Sequence, residues 1–291
     1  MKKLISLLLC LIIAFSAFMS IPSGAAYDSS MKELGLRSDC LLLVSADNGE
    51  IIFEKDIRKQ TAPASLTKIV TAIVVIENCK NLNEVVTVPE ECIKELSGTG
   101  SSVANLRTGE QITVYDLLCY MMIMSANDAA TTLANYVAGG DRAAFIAKMN
   151  EVASRLGCVN THFTNPHGLD DDDQYVTAED MAKFVSHAMT LPVFEEIFGR
   201  FTYTLKATNL QEERAIRNTN GMMNSAVADY YCEYVKGGKT GSTSIAGRCV
   251  VAVASNDGYN YIGVALNSTM SDVDGDGVNE NGSFLDCKTM F

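Results

Sequence analysis

Histidine is scarce. There are three in 291 residues (His162, His167 and His187), at no spacing that suits a metal. This argues against a zinc site. Positive charge is also short, with 23 Lys and Arg against 35 Asp and Glu and a formal net charge of −12. So acidic a chain is a poor partner for nucleic acid, and an anionic substrate would need a local cation working against the overall field. No pair among the nine cysteines has CxxC spacing, and several lie in apolar stretches, such as Cys119 in DLLCYMMIM. They read as buried free thiols rather than a disulfide framework. Repeats are absent, and after the first twenty residues no apolar run is long enough to span a bilayer.

What is present is core material. The hydrophobic fraction is 47%, enough for one large domain or two small ones and too high for a disordered chain. The first thirty residues, MKKLISLLLCLIIAFSAFMSIPSGAAYDSS, stand apart. Two lysines, an apolar run and small residues read as a secretory signal cleaved after Ala25 or Ala26, so the mature protein is expected to be exported. The alternative is an uncleaved segment that leaves the protein associated with a membrane. Cys10 is a poor lipoprotein site, because it lies inside the apolar run after Leu9. Loss of Lys2 and Lys3 takes the charge from −12 to −14, since residues 1–26 hold no acid.

The pattern predicts strands at both ends of the chain with helices between. Residues 40–56 read as a hairpin around Asp47-Asn48-Gly49, and 246–255 with 259–268 as another around Asn256-Asp257-Gly258. Residues 84–88 suit a short strand. Helical spacing covers 65–79, 113–124, 126–139, 141–157 and 177–190, with Thr113, Asp141 and Thr177 at capping positions. Residues 161–176 form a loop rich in turn formers. This order suggests an antiparallel sheet built from both chain ends with a helical cluster against it.

Three short signals carry chemistry. Ser65-Leu66-Thr67-Lys68 puts a hydroxyl and an amine about one helical turn apart. A serine needs a base to become a nucleophile, and a lysine serves only if burial and nearby cations lower its pKa. Ser65 also suits a helix N-cap, and Ser29-Ser30-Met31-Lys32 has the same spacing. Ser125-Ala126-Asn127 lies at a helix junction, where Ser125, with Asp128 three residues on, equally suits an N-cap. Lys239-Thr240-Gly241 follows Gly237-Gly238 at the start of a strand, where a lysine and a hydroxyl can bind a carboxylate. Arg107-Thr108-Gly109 is its decoy and precedes a helix.

In this order and at these separations, SxxK, SxN and KTG resemble the serine penicillin-recognising enzymes. Residues 36–291 resemble the D-alanyl-D-alanine carboxypeptidase family, the low-molecular-mass penicillin-binding proteins. APASLTKIVTA, LRTGEQITVYDLL, MSANDAATTLANYVAG, MNEVASRLGCVNTHFTNPHGLD, TAEDMA and KTGSTSIAG carry the resemblance. It implies an α/β (α+β) fold, β-lactamase/transpeptidase-like, with a signal peptide at 1–26 and the catalytic domain at 27–291. It implies that Ser65 is acylated, Lys68 is its base and Ser125 relays a proton to the leaving amine. Asn127 would bind the substrate amide, and Lys239 and Thr240 its terminal carboxylate. Gly241 would keep the strand edge open, and the N–H groups of Ser65 and Ser242 would form the oxyanion hole. The implied substrates are peptidoglycan stem peptides, with β-lactam antibiotics as mimics and no cofactor or metal. A β-lactamase and a peptidoglycan-binding scaffold without turnover are the alternatives.

Two stretches depart from the family. Gln174 and Val176 stand where many members carry a His and a Ser, after an acidic run, Asp170 to Asp173, that reads as a solvated face. His167 reads as a structural residue of the same loop. Residues 272–283 begin like a calcium loop, with Asp272, Asp274 and Asp276 before Gly277. The twelfth position is Ser283 rather than Glu, so an acidic surface turn is the reading. NGSFLDCKTMF resembles the opening of the family's closing helix.

Overall fold

The computed structural model describes residues 34–272 and 277–291. The predicted signal segment, the Ser29 decoy and most of the acidic 272–276 turn lie outside the described residues.

Five long strands form the central antiparallel sheet: β1 (Cys40–Ser45), β2 (Ile51–Lys55), β7 (Val235–Thr243), β8 (Gly247–Asn256) and β9 (Tyr259–Ser268). Their order is β2-β1-β9-β8-β7, so β1, from the start of the chain, pairs with β9 near its end. Between them come the short ribbons β3 (Val85–Thr87) with β4 (Gln111–Thr113), and β5 (Thr202–Leu205) with β6 (Arg214–Arg217). The helices are α1 (Thr67–Asn78), α2 (Glu90–Lys94), α3 (Val114–Ile123), α4 (Asn127–Val137), α5 (Arg142–Arg155), α6 (Ala178–Ala188), α7 (Pro192–Phe198) and α8 (Gly282–Met290).

Both faces of the sheet are covered, which explains why its strands are almost continuously apolar. Leu42, Val44, Val251 and Val264 face the large helical core, whereas Leu41, Leu43, Val250 and Ala265 face Phe284 and Cys287 of α8. The last helix is tied back to the first strand. The buried Asp286 carboxylate accepts from Ser38 N and Ser38 Oγ, each at 2.6 Å, and from Arg37 N. In the core, α1 is buried from Thr67 through Val75, as expected of a helix apolar on every side.

The capping residues act as expected on α3, α5 and α6. Thr113 accepts from Asp116 N, Asp141 from Ala144 N and Thr177 from Asp180 N. Two other caps do not form. Ser65 lies in a 3-10 turn, Ala64–Leu66, and α1 begins two residues later than expected. Ser125 has φ +65 and caps nothing, since α4 begins at Asn127 with Ala126 as its N-cap. Asp128 turns instead to the 99–106 segment, accepting from Ala104 N at 2.8 Å and Leu106 N at 3.0 Å. The described cysteines are all free, and among the described residues no cluster could hold a metal.

Candidate active site

The β7 edge of the sheet meets the start of α1. Here Gly241 of β7 comes so close to the Ser65 turn that a Cβ on it would stand 3.1 Å from Pro63 O and 3.2 Å from Ser65 N. The expected role of Gly241 is thereby sharpened: its missing side chain lets two backbones meet. Gly168 closes on the same turn from the opposite loop. At φ +93 its Cβ would stand 1.8 Å from Ala64 O, so glycine is required here for both conformation and space. Ala64 itself has φ +47, a costly conformation held by these two neighbours.

In the first turn of α1, Lys68 is fully buried. Its Nζ lies 2.7 Å from Ser65 Oγ and donates to the His167 carbonyl oxygen at 2.7 Å. The next turn holds the same loop, with Thr71 Oγ1 donating to Pro166 O at 2.6 Å. Burial, and secondly the charge of Lys239, hold the Lys68 pKa well below the usual ammonium range, while Asp128 opposes them. A neutral amine can donate to the His167 carbonyl and still accept the Ser65 proton.

Ser125 projects from the junction of α3 and α4, and Lys239 from the middle of β7. Lys239 Nζ donates to Ser125 Oγ and to Thr240 O, each at 2.8 Å. Lys239 is also fully buried, and burial brings its pKa down to about 7. Asn127 is buried at the head of α4, its N–H bonded to Ser102 O at 2.8 Å. Thr240 Oγ1 meets Thr219 Oγ1 at 2.5 Å, and Ser242 Oγ accepts from Arg248 Nη1 at 2.9 Å.

The eight predicted site residues thus come together. Ser65, Ser125, Asn127, Thr240, Gly241 and Ser242 line one cleft of about 550 Å³, and Lys68 and Lys239 lie buried behind it. The decoy goes elsewhere: Arg107 Nη1 bonds Leu210 O. Asp170 to Asp173 are exposed, as expected, although Asp170 also accepts from Thr243 Oγ1 at 2.6 Å on the cleft rim. His167 is buried, and burial lowers its pKa to about 3, so the ring is neutral and its Nδ1 accepts from Leu169 N. Gln174 staples its loop by accepting from Thr164 N and Asn165 N and donating to Leu169 O, each at 3.1 Å.

Sequence reasoning missed four neighbours: the His167 carbonyl, Thr219, Ser102 and Arg248. The first is a backbone atom and carries no residue signature. The others stand outside the three signals, and only the folded chain brings them to the cleft.

The profile of the peptidase S11 family, D-alanyl-D-alanine carboxypeptidase, matches residues 28–270. Similar curated proteins include the D-alanyl-D-alanine carboxypeptidases DacC of Escherichia coli, 34% identical over 86% of this chain and 61% of that one, and DacF of Bacillus subtilis, 28% identical over 92% and 67%. This chain therefore spans about two thirds of their length. The solved DD-transpeptidase of Streptomyces K15 superposes with a TM-score of 0.77 at 28% identity, covering 88% of this chain and 95% of that one.

Proposed function

The chain belongs to the D-alanyl-D-alanine carboxypeptidase family, and from that premise we propose that it removes the terminal D-alanine from peptidoglycan stem peptides. The observation that carries this reading is the 2.7 Å approach of Lys68 Nζ to Ser65 Oγ, at a lysine whose burial holds its pKa well below the usual ammonium range. Ser65 attacks the carbonyl carbon of the D-Ala-D-Ala amide as Lys68 takes its proton. The N–H groups of Ser65 and Ser242 stabilise the oxyanion. The proton passes by way of Ser125 to the leaving nitrogen, the C–N bond breaks and D-alanine departs. Water then attacks the ester and returns the Ser65 hydroxyl. Asn127 orients the amide, and Lys239 with Thr240 receives the carboxylate.

Penicillins, which mimic the dipeptide, acylate Ser65 in the same way. Residues 27–291 form the catalytic domain, exported behind a signal at 1–26. No metal or cofactor has a part in these steps.

The test pairs release of D-alanine from diacetyl-L-Lys-D-Ala-D-Ala with hydrolysis of a chromogenic cephalosporin. D-alanine release is the expected result, lost in Ser65→Ala along with covalent labelling by a fluorescent penicillin. Rapid cephalosporin turnover without D-alanine release would make the protein a β-lactamase. A folded protein inactive in both assays would be a scaffold.

A further inference from the structure

Among the described residues, two charged side chains line the catalytic cleft, Arg248 and Asp170. Arg248 is engaged with Ser242 Oγ. Asp170 is the one acid on the wall, and no step of the reaction above uses it. Its neighbours Asp171, Asp172 and Asp173 do not line the cleft. The feature is therefore one placed carboxylate beside a nucleophile, rather than an acidic run.

The carboxylate is held in position from several sides. Thr243 Oγ1 donates to Asp170 Oδ1 at 2.6 Å and accepts from Ala246 N at 2.9 Å, so the hydroxyl between them is fixed. Two residues back, Gly168 packs against the Ala64 carbonyl, and Gln174 Oε1 accepts from Thr164 N and Asn165 N across the same loop. Among the described residues Asp170 Oδ2 takes no hydrogen bond. Leu169, half-buried, lines the cleft next to it.

The order of groups along β7 says which part of a substrate arrives there. Thr240 stands at the carboxylate end, Gly241 lies against Ser65, the Ser242 N–H serves the oxyanion, and Thr243 follows. A peptide added along this edge, with its terminal carboxylate at Thr240 and its scissile carbonyl at Ser242, runs antiparallel to β7. What precedes the scissile bond then passes toward Thr243 and Asp170. From Thr240 to Thr243 is about 10 Å of strand, the span of three extended residues. The third residue from the end of a stem peptide is a diamino acid, for which L-Lys stands in the assay peptide. Its methylenes suit Leu169 and its ammonium suits a carboxylate, and the net charge of −12 favours a cation throughout.

We propose that Asp170, with Leu169 beside it, determines specificity by binding the side-chain amine of the diamino acid that precedes D-Ala-D-Ala. The inference rests on the carboxypeptidase reading and names what the acyl half of its site selects.

The experiment uses the full chain and compares D-alanine release from Nα-acetyl-L-Lys-D-Ala-D-Ala, whose side-chain amine is free, with release from the diacetyl peptide, whose amine is blocked. The parent should favour the free amine by roughly 3- to 10-fold in kcat/KM, mainly through KM. The ratio should shrink in about 0.5 M salt, as an ion pair open to solvent requires. Asp170→Asn should bring the ratio close to one, and Asp170→Glu, which keeps the charge, should recover part of it. A ratio cancels any general damage to folding or to Ser65. A parent that releases D-alanine equally from both peptides, or an Asp170→Asn variant that keeps the preference, would overturn the amine site and leave the carboxypeptidase reading intact. A parent that releases none from either would overturn both.

Discussion

Lys239 Nζ donates to Ser125 Oγ at 2.8 Å, joining two buried groups 114 residues apart in the chain. The bond links the sheet edge to the helix junction and puts a second amine within electrostatic reach of Lys68.

If Ser125 relays the proton, Ser125→Ala should slow acylation of Ser65 by benzylpenicillin by about 10²- to 10⁴-fold, the range typical of lost general acid–base assistance. Stopped-flow acylation rates would check this. A loss below threefold would assign Ser125 to packing alone.

The second prediction concerns pH. Because the Lys239 charge is one cause of the low Lys68 pKa, Lys239→Gln should let the Lys68 pKa rise. The acid limb of Ser65 acylation should then move to higher pH. A penicillin methyl ester is the suitable probe, since it carries no carboxylate and so bypasses direct binding losses. An unmoved limb would mean that burial alone depresses Lys68.

Stability should pass through a maximum with pH. Lys239 titrates at about 7 when folded and near 10.5 when unfolded. Between those values the unfolded state binds more protons, so stability rises with pH. Buried thiols act in the opposite sense. Burial pushes Cys40 and Cys92 up to about 11 and Cys249 to about 12, from an ordinary value of 9.0. Above pH 9 the unfolded chain loses those protons first, and stability falls. Thermal unfolding in reductant should therefore give a highest Tm at about pH 8–9, and Lys239→Met should flatten the rising side.

Gly168→Ala should damage the site and the fold together. Its Cβ would enter the Ala64 carbonyl, and its φ of +93 disfavours any side chain. A loss of about 3 kcal/mol or more in denaturant unfolding is expected, with slower penicillin acylation. Near-parent values for both would show that the loop can yield.

Asp286→Ala should destabilise the protein by about 3 kcal/mol or more in the same unfolding assay, because it strips the buried Ser38 amide and hydroxyl of their acceptor. A change within 0.5 kcal/mol, as for an ordinary surface site, would mean that α8 is not needed to hold β1.

The sheet and the larger helices were legible because their apolar spacing is regular and their caps are conventional. The short α2 and α7, and the β5–β6 ribbon around Arg214-Ala215-Ile216-Arg217, lack a long period and leave no such signal in the sequence. Chemistry was legible through the order of SxxK, SxN and KTG, since Lys68 and Ser65 are local to one turn. Local rules failed at Ser65 and Ser125. Both suit N-caps, yet tertiary contacts draw each hydroxyl toward a buried lysine instead. Arg248 escaped notice because its position depends on a strand register.

The pairing of β1 with β9 sets a timetable. When Cys40–Ser45 is synthesised, Tyr259–Ser268 is still more than two hundred residues from being made. Until then β1 can pair only with β2, and its other edge stays open for most of synthesis, which is the condition that invites slow folding and misassociation. Lys239 arrives just as late. The nucleophile and its base are thus made together, well before the second amine that lowers the pKa of that base. A growing chain carries no working site until β7 has been made.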